Sequence, residues 1–178
     1  MNLFLSPHND DEALYGAFTL LVHRPHVVVC FRGHALCGDP VERAAETARA
    51  CAILGATAEQ WWHVQDIGER VTTPEIASAL RASLQELDAR ESPERVWAPS
   101  LRTSHAGHRD VGAAADAVFG DRVIHYHTYV GAQKVREGQR VPVRPEWGLL
   151  KHRALAEYGT QARVAHRWLM DDLWEWTE

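Results

Sequence analysis

Apolar and polar positions along this chain fall into short blocks whose period switches between two and about 3.6 residues. Asn2-Leu3-Phe4-Leu5-Ser6 reads as a strand, and Ala13 to Val22 reads as a helix behind it. His26-Val27-Val28-Val29-Cys30-Phe31 is a β-branched run suited to a strand buried on both faces. A polar loop follows from Arg32 to Asp39. Asp39 offers an N-cap and Pro40 a first helical residue for a helix over Val41 to Leu54, with Gly55 placed to end it. Gln60 to Val64 reads as a third strand, closed by the turn Asp66-Ile67-Gly68.

Thr72-Thr73-Pro74-Glu75 opens another helix, with Ile76, Leu80, Leu84 and Leu87 on one face, and Ser92-Pro93-Glu94 ends it. Arg95 to Ala98 is a fourth strand, Pro99 to His108 a loop, and Asp110 to Phe119 a short helix. Arg122 to Val130 reads as a strand with His125, His127 and Tyr129 on one face, and Gly138 to Val143 as a partner for it. Trp147 to Tyr158 and Val164 to Trp176 read as closing helices. Strands alternating with helices predict an α/β, Rossmann-like three-layer fold with a mostly parallel sheet and helices on both faces. No repeat or low-complexity linker interrupts the pattern, so residues 1–178 read as one domain.

Composition narrows the class. The formal net charge is −5 with no lysine or arginine run, which argues against nucleic acid as a partner. No apolar stretch reaches the roughly 18 residues that span a bilayer, and the N-terminus lacks the basic start of a signal peptide. Cys30, Cys37 and Cys51 are odd in number without a C-x-x-C spacing, as expected of reduced thiols in a cytoplasmic protein.

The chemistry gathers in two stretches. Pro7-His8-Asn9-Asp10-Asp11-Glu12 joins the first strand to the first helix, where open α/β sheets bind ligands. One histidine and three carboxylates crowded there repel one another unless a cation or proton intervenes, and a metal is the simplest answer. Ser104-His105-Ala106-Gly107-His108-Arg109-Asp110 follows the fourth strand and opens on the same sheet edge. Imidazole and carboxylate donors together suit zinc, although iron, manganese and cobalt accept such sites too. A solvated acidic helix cap is the plainer alternative for the first stretch. Counting residues does not say which carboxylate ligates and which acts as a base.

These two stretches resemble the motifs of the LmbE-like (PIG-L, GlcNAc-PI de-N-acetylase-like) zinc-dependent deacetylases. The family's first motif, a Pro- or Ala-His-Pro-Asp-Asp-Glu turn, is matched by Pro7 to Glu12, and its His-Pro-Asp-His by His105-Ala106-Gly107-His108. The resemblance implies one Zn2+ per chain held by His8, Asp11 and His108, with Asp10 as general base and His105 polarising the acyl carbonyl. Weaker echoes are Arg43 and Glu46 ahead of Leu54-Gly55, the turn at Asp66, and Lys151 to Gln161 with Tyr158-Gly159-Thr160-Gln161. Arg43 and Asp66 are the candidate substrate contacts; a surface charge and a self-satisfied turn residue are the plainer readings. Two departures stand out. Asn9 replaces a proline, which is expected to loosen the turn, and Gly107 replaces an aspartate that supports a neighbouring histidine, a role Asp110 is placed to take over.

The activity implied is removal of an N-acetyl (N-acyl) group from an amino sugar or related glycoconjugate. An amide or ester hydrolase of secondary metabolism, or a metal-binding relative without catalysis, are the alternatives. The implied partner is a small acylated amine. His125 and His127 invite a second metal site, but an H-x-H pair on a sheet face needs none. Trp168, Trp174 and Trp176 suit core or subunit contact, which leaves a homo-oligomer open.

Overall fold

The computed structural model describes residues 1–32, 38–65, 73–130, 133–134, 138–161 and 175–177. Its strands are β1 (Asn2–Ser6), β2 (His26–Val29), β3 (Thr57–Gln60), β4 (Arg95–Pro99), β5 (Val123–Tyr126), β6 (Tyr129–Val130), β7 (Gln133–Lys134), β8 (Gln139–Arg140) and β9 (Trp176–Thr177). The helices are α1 (Asp11–Tyr15), α2 (Ala17–His23), α3 (Pro40–Ile53), α4 (Pro74–Glu91), α5 (Ala106–Phe119) and α6 (Pro145–Ala156). A seven-stranded sheet runs β3-β2-β1-β4-β5-β9-β8, parallel from β3 through β5 and antiparallel at β9 and β8. The expected three-layer α/β architecture is what forms.

Strand alternation builds the two cores. Leu3, Leu5, Val28, Val96 and Ala98 face α4 and α5, meeting Leu80, Leu84, Val111 and Phe119. Phe4, Val27, Val29 and Trp97 face the other way, against Ala13, Leu20, Cys51, Leu54 and Leu155 from α1, α2, α3 and α6. The central strands β1, β2 and β4 are therefore apolar at consecutive positions, as a sheet covered on both sides requires.

The order matters for the site. The chain leaves β1 toward β2 and β3, then crosses back to lay β4 on the other side of β1. The carboxyl ends of β1 and β4 thus flank the switch point where open sheets leave a crevice. Both motifs emerge there.

Several expected boundaries move. The helix expected over Ala13 to Val22 is broken at Gly16 (φ −125°, ψ 3°), where the backbone lies so close to the Phe4 ring that a Cβ would be 2.3 Å from it. The third strand is Thr57–Gln60, with Trp61 and Val64 buried beyond it and Trp62 46% exposed, so the apolar residues follow no alternation. Helix α5 begins at Ala106, four residues before the expected Asp110, with His105 as its N-cap. Histidine is not among the favoured caps, which hid this start. The strand expected through Val130 stops at Tyr126, the partner of Pro99, and Tyr129–Val130 joins a separate hairpin with Gln133–Lys134. Gln139–Arg140 pairs with β9, not with β5. Of the helix expected over Val164 to Trp176, Trp176 lies in β9; residues 162–174, with Trp168 and Trp174, are outside the described residues.

Candidate active site

Ser6 ends β1, and its Oγ donates to the His8 carbonyl (2.8 Å) and to Glu12 Oε2 (3.0 Å), pinning the turn between them. Asp10 occupies the N-cap of α1 at φ 109°, a conformation that strains a residue with a Cβ. Asp11 is buried, and its Oδ2 lies 3.0 Å from His8 Nδ1 and 3.1 Å from His108 Nε2. The His8 backbone N–H also donates to Asp11 Oδ2 (3.0 Å). His108 sits in the first turn of α5, 1% exposed, with its Nδ1 3.3 Å from Thr128 Oγ1. His105 is buried beside it, the two rings stacked at 4.7 Å between centroids.

The donor atoms of His8, His105 and His108 lie within 4.8 Å of one another. The residues fit a divalent metal. Zinc binds nitrogen and carboxylate oxygen at about 2.0–2.2 Å, so tetrahedral neighbours sit about 3.2–3.5 Å apart. The Asp11 contacts to both imidazoles need to open by only a few tenths of an ångström to reach that spacing. Among the described residues, no such group includes His125 or His127. His125 instead bonds the Pro99 carbonyl (3.1 Å) and Asp116 (3.0 Å), and the His127 N–H donates to Trp176 O (2.9 Å).

Electrostatics separate the carboxylates. Burial works against ionisation of Asp11, yet the neighbouring His108 charge, with hydrogen bonds from His108 and His8, holds it well below the usual carboxylate range. Burial raises Asp10 to about 7, helped by Asp11 and opposed by Arg43 and His8. Burial also raises Glu12, to about 8, with Asp10 adding to the shift. Glu12 is fully buried and takes hydrogen bonds from Ser6 Oγ, the Tyr158 hydroxyl and the Asp10 N–H (3.3 Å). It supports the turn from beneath.

Asn9 does the reverse of loosening. It is 1% exposed, and its Nδ2 donates to Thr47 Oγ1 (2.9 Å) on α3 and to Gln60 Oε1 (2.8 Å) at the end of β3. Arg43, 4% exposed, donates from Nη2 to the Asn9 carbonyl (2.7 Å) and stands 3.9 Å from Asp10 Oδ2. Glu46 accepts from the Thr160 N–H (2.8 Å) and hydroxyl (2.5 Å), joining the two late echoes of the sequence. Asp66 lies outside the described residues. Asp110 lines a groove against Thr73, Ala77 and Arg81 of the α4 side. Phe31, which sequence reading did not single out, stacks on His8 at 5.6 Å and packs over Gly107. Only a pairing across 76 positions would have marked it.

No curated protein matches the chain. Solved structures share its fold. A deacetylase triple mutant of the teicoplanin biosynthetic pathway superposes with TM-score 0.74 at 19% identity, covering 90% of this chain and 82% of that one. The 4-carboxy-2-hydroxymuconate hydratase of Pseudomonas putida gives 0.72 at 17% identity, over 99% and 94%. The N,N'-diacetylchitobiose deacetylase of Pyrococcus horikoshii gives 0.57 at 18% identity, over 96% and 71%. One fold thus carries both hydrolytic and hydratase chemistry, and likeness at this identity speaks to architecture alone. Residues 3–119, which run from β1 through the end of α5 and contain both motifs, match the sequence model described as GlcNAc-PI de-N-acetylase, and the chain belongs to that PIG-L family.

Proposed function

We propose that this protein is a zinc-dependent hydrolase that removes an N-acetyl, or other N-acyl, group from an amino sugar or related glycoconjugate. The observation that carries the reading is Asp11 Oδ2 held between His8 Nδ1 and His108 Nε2 at 3.0 and 3.1 Å, with Asp10 on the same strained turn. His8, Asp11 and His108 would hold the metal. Bound there, zinc supplies a Lewis acid and lowers the pKa of a coordinated water toward about 7. Asp10 takes the proton of the attacking water and returns it to the leaving amine, so the acyl C–N bond breaks into a free amine and acetate. Its carboxyl, raised to about 7 in the metal-free site, suits a group that accepts and donates near neutral pH. His105 polarises the acyl carbonyl and stabilises the developing oxyanion. Arg43, from beneath Asp10, and Asp66 complete the proposal as substrate contacts.

The family description names a de-N-acetylase, and the Pyrococcus relative by fold acts on an acetylated sugar, which supports this substrate class. A second reading, an amide of a secondary metabolite, draws on the teicoplanin deacetylase likeness. A panel of N-acetylated sugars and acylated glycopeptides, assayed for acetate or fatty-acid release with zinc-loaded protein, separates the two. Asp10→Asn is expected to keep its metal and lose about 10²–10⁴-fold in rate. Near-native turnover by that variant would remove Asp10 as the base.

A further inference from the structure

We infer that Tyr129, backed by Tyr15, forms a wall of the subsite that takes the acyl group, and that this wall limits the acyl group to acetyl size. This rests on the deacylase reading above and narrows its substrate class. The segment that carries Tyr129 is fixed to the site from two sides. Thr128 Oγ1 lies 3.3 Å from His108 Nδ1, behind the imidazole. The Tyr129 carbonyl accepts from the Ser104 N–H (3.2 Å) and from Thr103 Oγ1 (3.1 Å), the two residues that lead into His105. Tyr129 therefore stands beside the histidine that polarises the acyl carbonyl and beside the metal ligand next to it.

The rings complete the wall. Tyr129 meets His108 edge-on at 5.8 Å between centroids and 68°, and Tyr15 meets the same imidazole at 6.4 Å and 73°. The two phenol rings lie 6.1 Å apart at 40°, within the range of favourable aromatic pairs. Tyr15 is 4% exposed and belongs to the core beneath α1, so it gives Tyr129 no room to retreat. Tyr129 is only partly buried where it packs on that core, so its outer side is what a ligand meets. Past His8, the buried Phe31 ring closes the other flank at 5.6 Å. A methyl group fits against such a wall, whereas a longer chain has to displace a ring whose backbone is held. A single methylene at an apolar wall discriminates by about 10–200-fold.

Calorimetric titration of the zinc-loaded protein with acetohydroxamate and hexanohydroxamate reads the wall without turnover, because the two probes share one chelating group and differ only in chain length. The wild type is expected to bind the acetyl probe at least about tenfold more tightly. Tyr129→Ala is expected to cancel or reverse that preference, Tyr129→Leu to weaken it, and Tyr129→Phe to keep it, since the ring and not the hydroxyl forms the wall. Equal or tighter binding of the hexanoyl probe by the wild type, an unchanged preference in both Tyr129→Ala and Tyr129→Leu, or no binding of either probe would each overturn the inference. A hexanoyl preference in a protein that still releases acetate from an acylated amine would sink the wall and leave the hydrolase reading standing. An acetyl preference with no acetate released from any acylated amine would do the opposite.

Discussion

Gly107 and Phe31 are fitted to one another across the mouth of the site: a Cβ on residue 107 would approach Phe31 Cε2 to 3.1 Å. Phe31 is 1% exposed, and its ring also stacks on His8. The aspartate that the family resemblance leads one to expect at 107 would need the Phe31 ring to give by a few tenths of an ångström. A side chain at 107 and the Phe31 ring therefore compete for the same space.

That competition predicts a coupling. Gly107→Asp alone is expected to lower thermal stability, since Phe31 is held by the core and cannot withdraw freely. Phe31→Ala alone removes a buried ring and costs about 3–5 kcal/mol. Together they are expected to cost less than their sum, by about 0.5–3 kcal/mol, in a double-mutant cycle from urea unfolding. Strict additivity would show that the two positions do not compete for space.

Helix α5 is seated by another glycine. A Cβ on Gly112 would lie 2.4 Å from the Pro99 carbonyl oxygen, a backbone atom at the end of β4. Gly112→Ala therefore pushes the helix off the sheet, at about 1–3 kcal/mol. His108 stands one turn earlier on the same helix, so zinc affinity is expected to fall with the melting temperature. A variant that lost stability but bound zinc as tightly as the wild type would separate α5 seating from the site.

Glu175 fastens the far end of the described chain. Its carboxylate accepts from the Phe18 N–H (2.9 Å) and Thr19 N–H (3.2 Å) at the start of α2 and pairs with Lys151 Nζ at 2.9 Å, both side chains buried. Glu175→Gln keeps the size and leaves the Lys151 charge uncompensated. The expected cost is about 3–5 kcal/mol, read as a shift in the urea midpoint. A shift within experimental scatter would mean that Lys151 finds another partner.

The sequence made these parts legible to unequal degrees. Asp39 and Pro40 announced α3 because capping is local, and Asp39 does accept from Val41 N at 3.1 Å. The closeness of His8, Asp11 and His108 was legible because each follows a strand whose end the alternating pattern locates. Asn9 was misjudged because its partners, Thr47 and Gln60, are 38 and 51 residues away. The break at Gly16 was hidden too, because the Phe4 ring that the Gly16 backbone abuts comes from the neighbouring strand layer, stacked on Tyr126 at 4.6 Å. Strand β9 has two residues, too few for any period to register.

The site also sets a pH dependence whose sign follows from its carboxyls. Burial raises Asp10 to about 7 and Glu12 to about 8, whereas in the unfolded chain such groups release protons near about 4. A raised folded-state pKa contributes stability that is present below the unfolded value and is lost as pH rises through the folded one. The metal-free protein is therefore expected to lose stability between about pH 4 and pH 8 on account of these two groups. A dication held by Asp11 and the histidines favours the ionised forms of its neighbours, and its own binding displaces protons from imidazole. Both effects widen the gap in melting temperature between zinc-loaded and metal-free protein as pH is raised from about 5.5 to 8.5. Paired thermal scans across that range check it, and a gap that stayed constant or narrowed would mean that the ion does not bind beside Asp10 and Glu12.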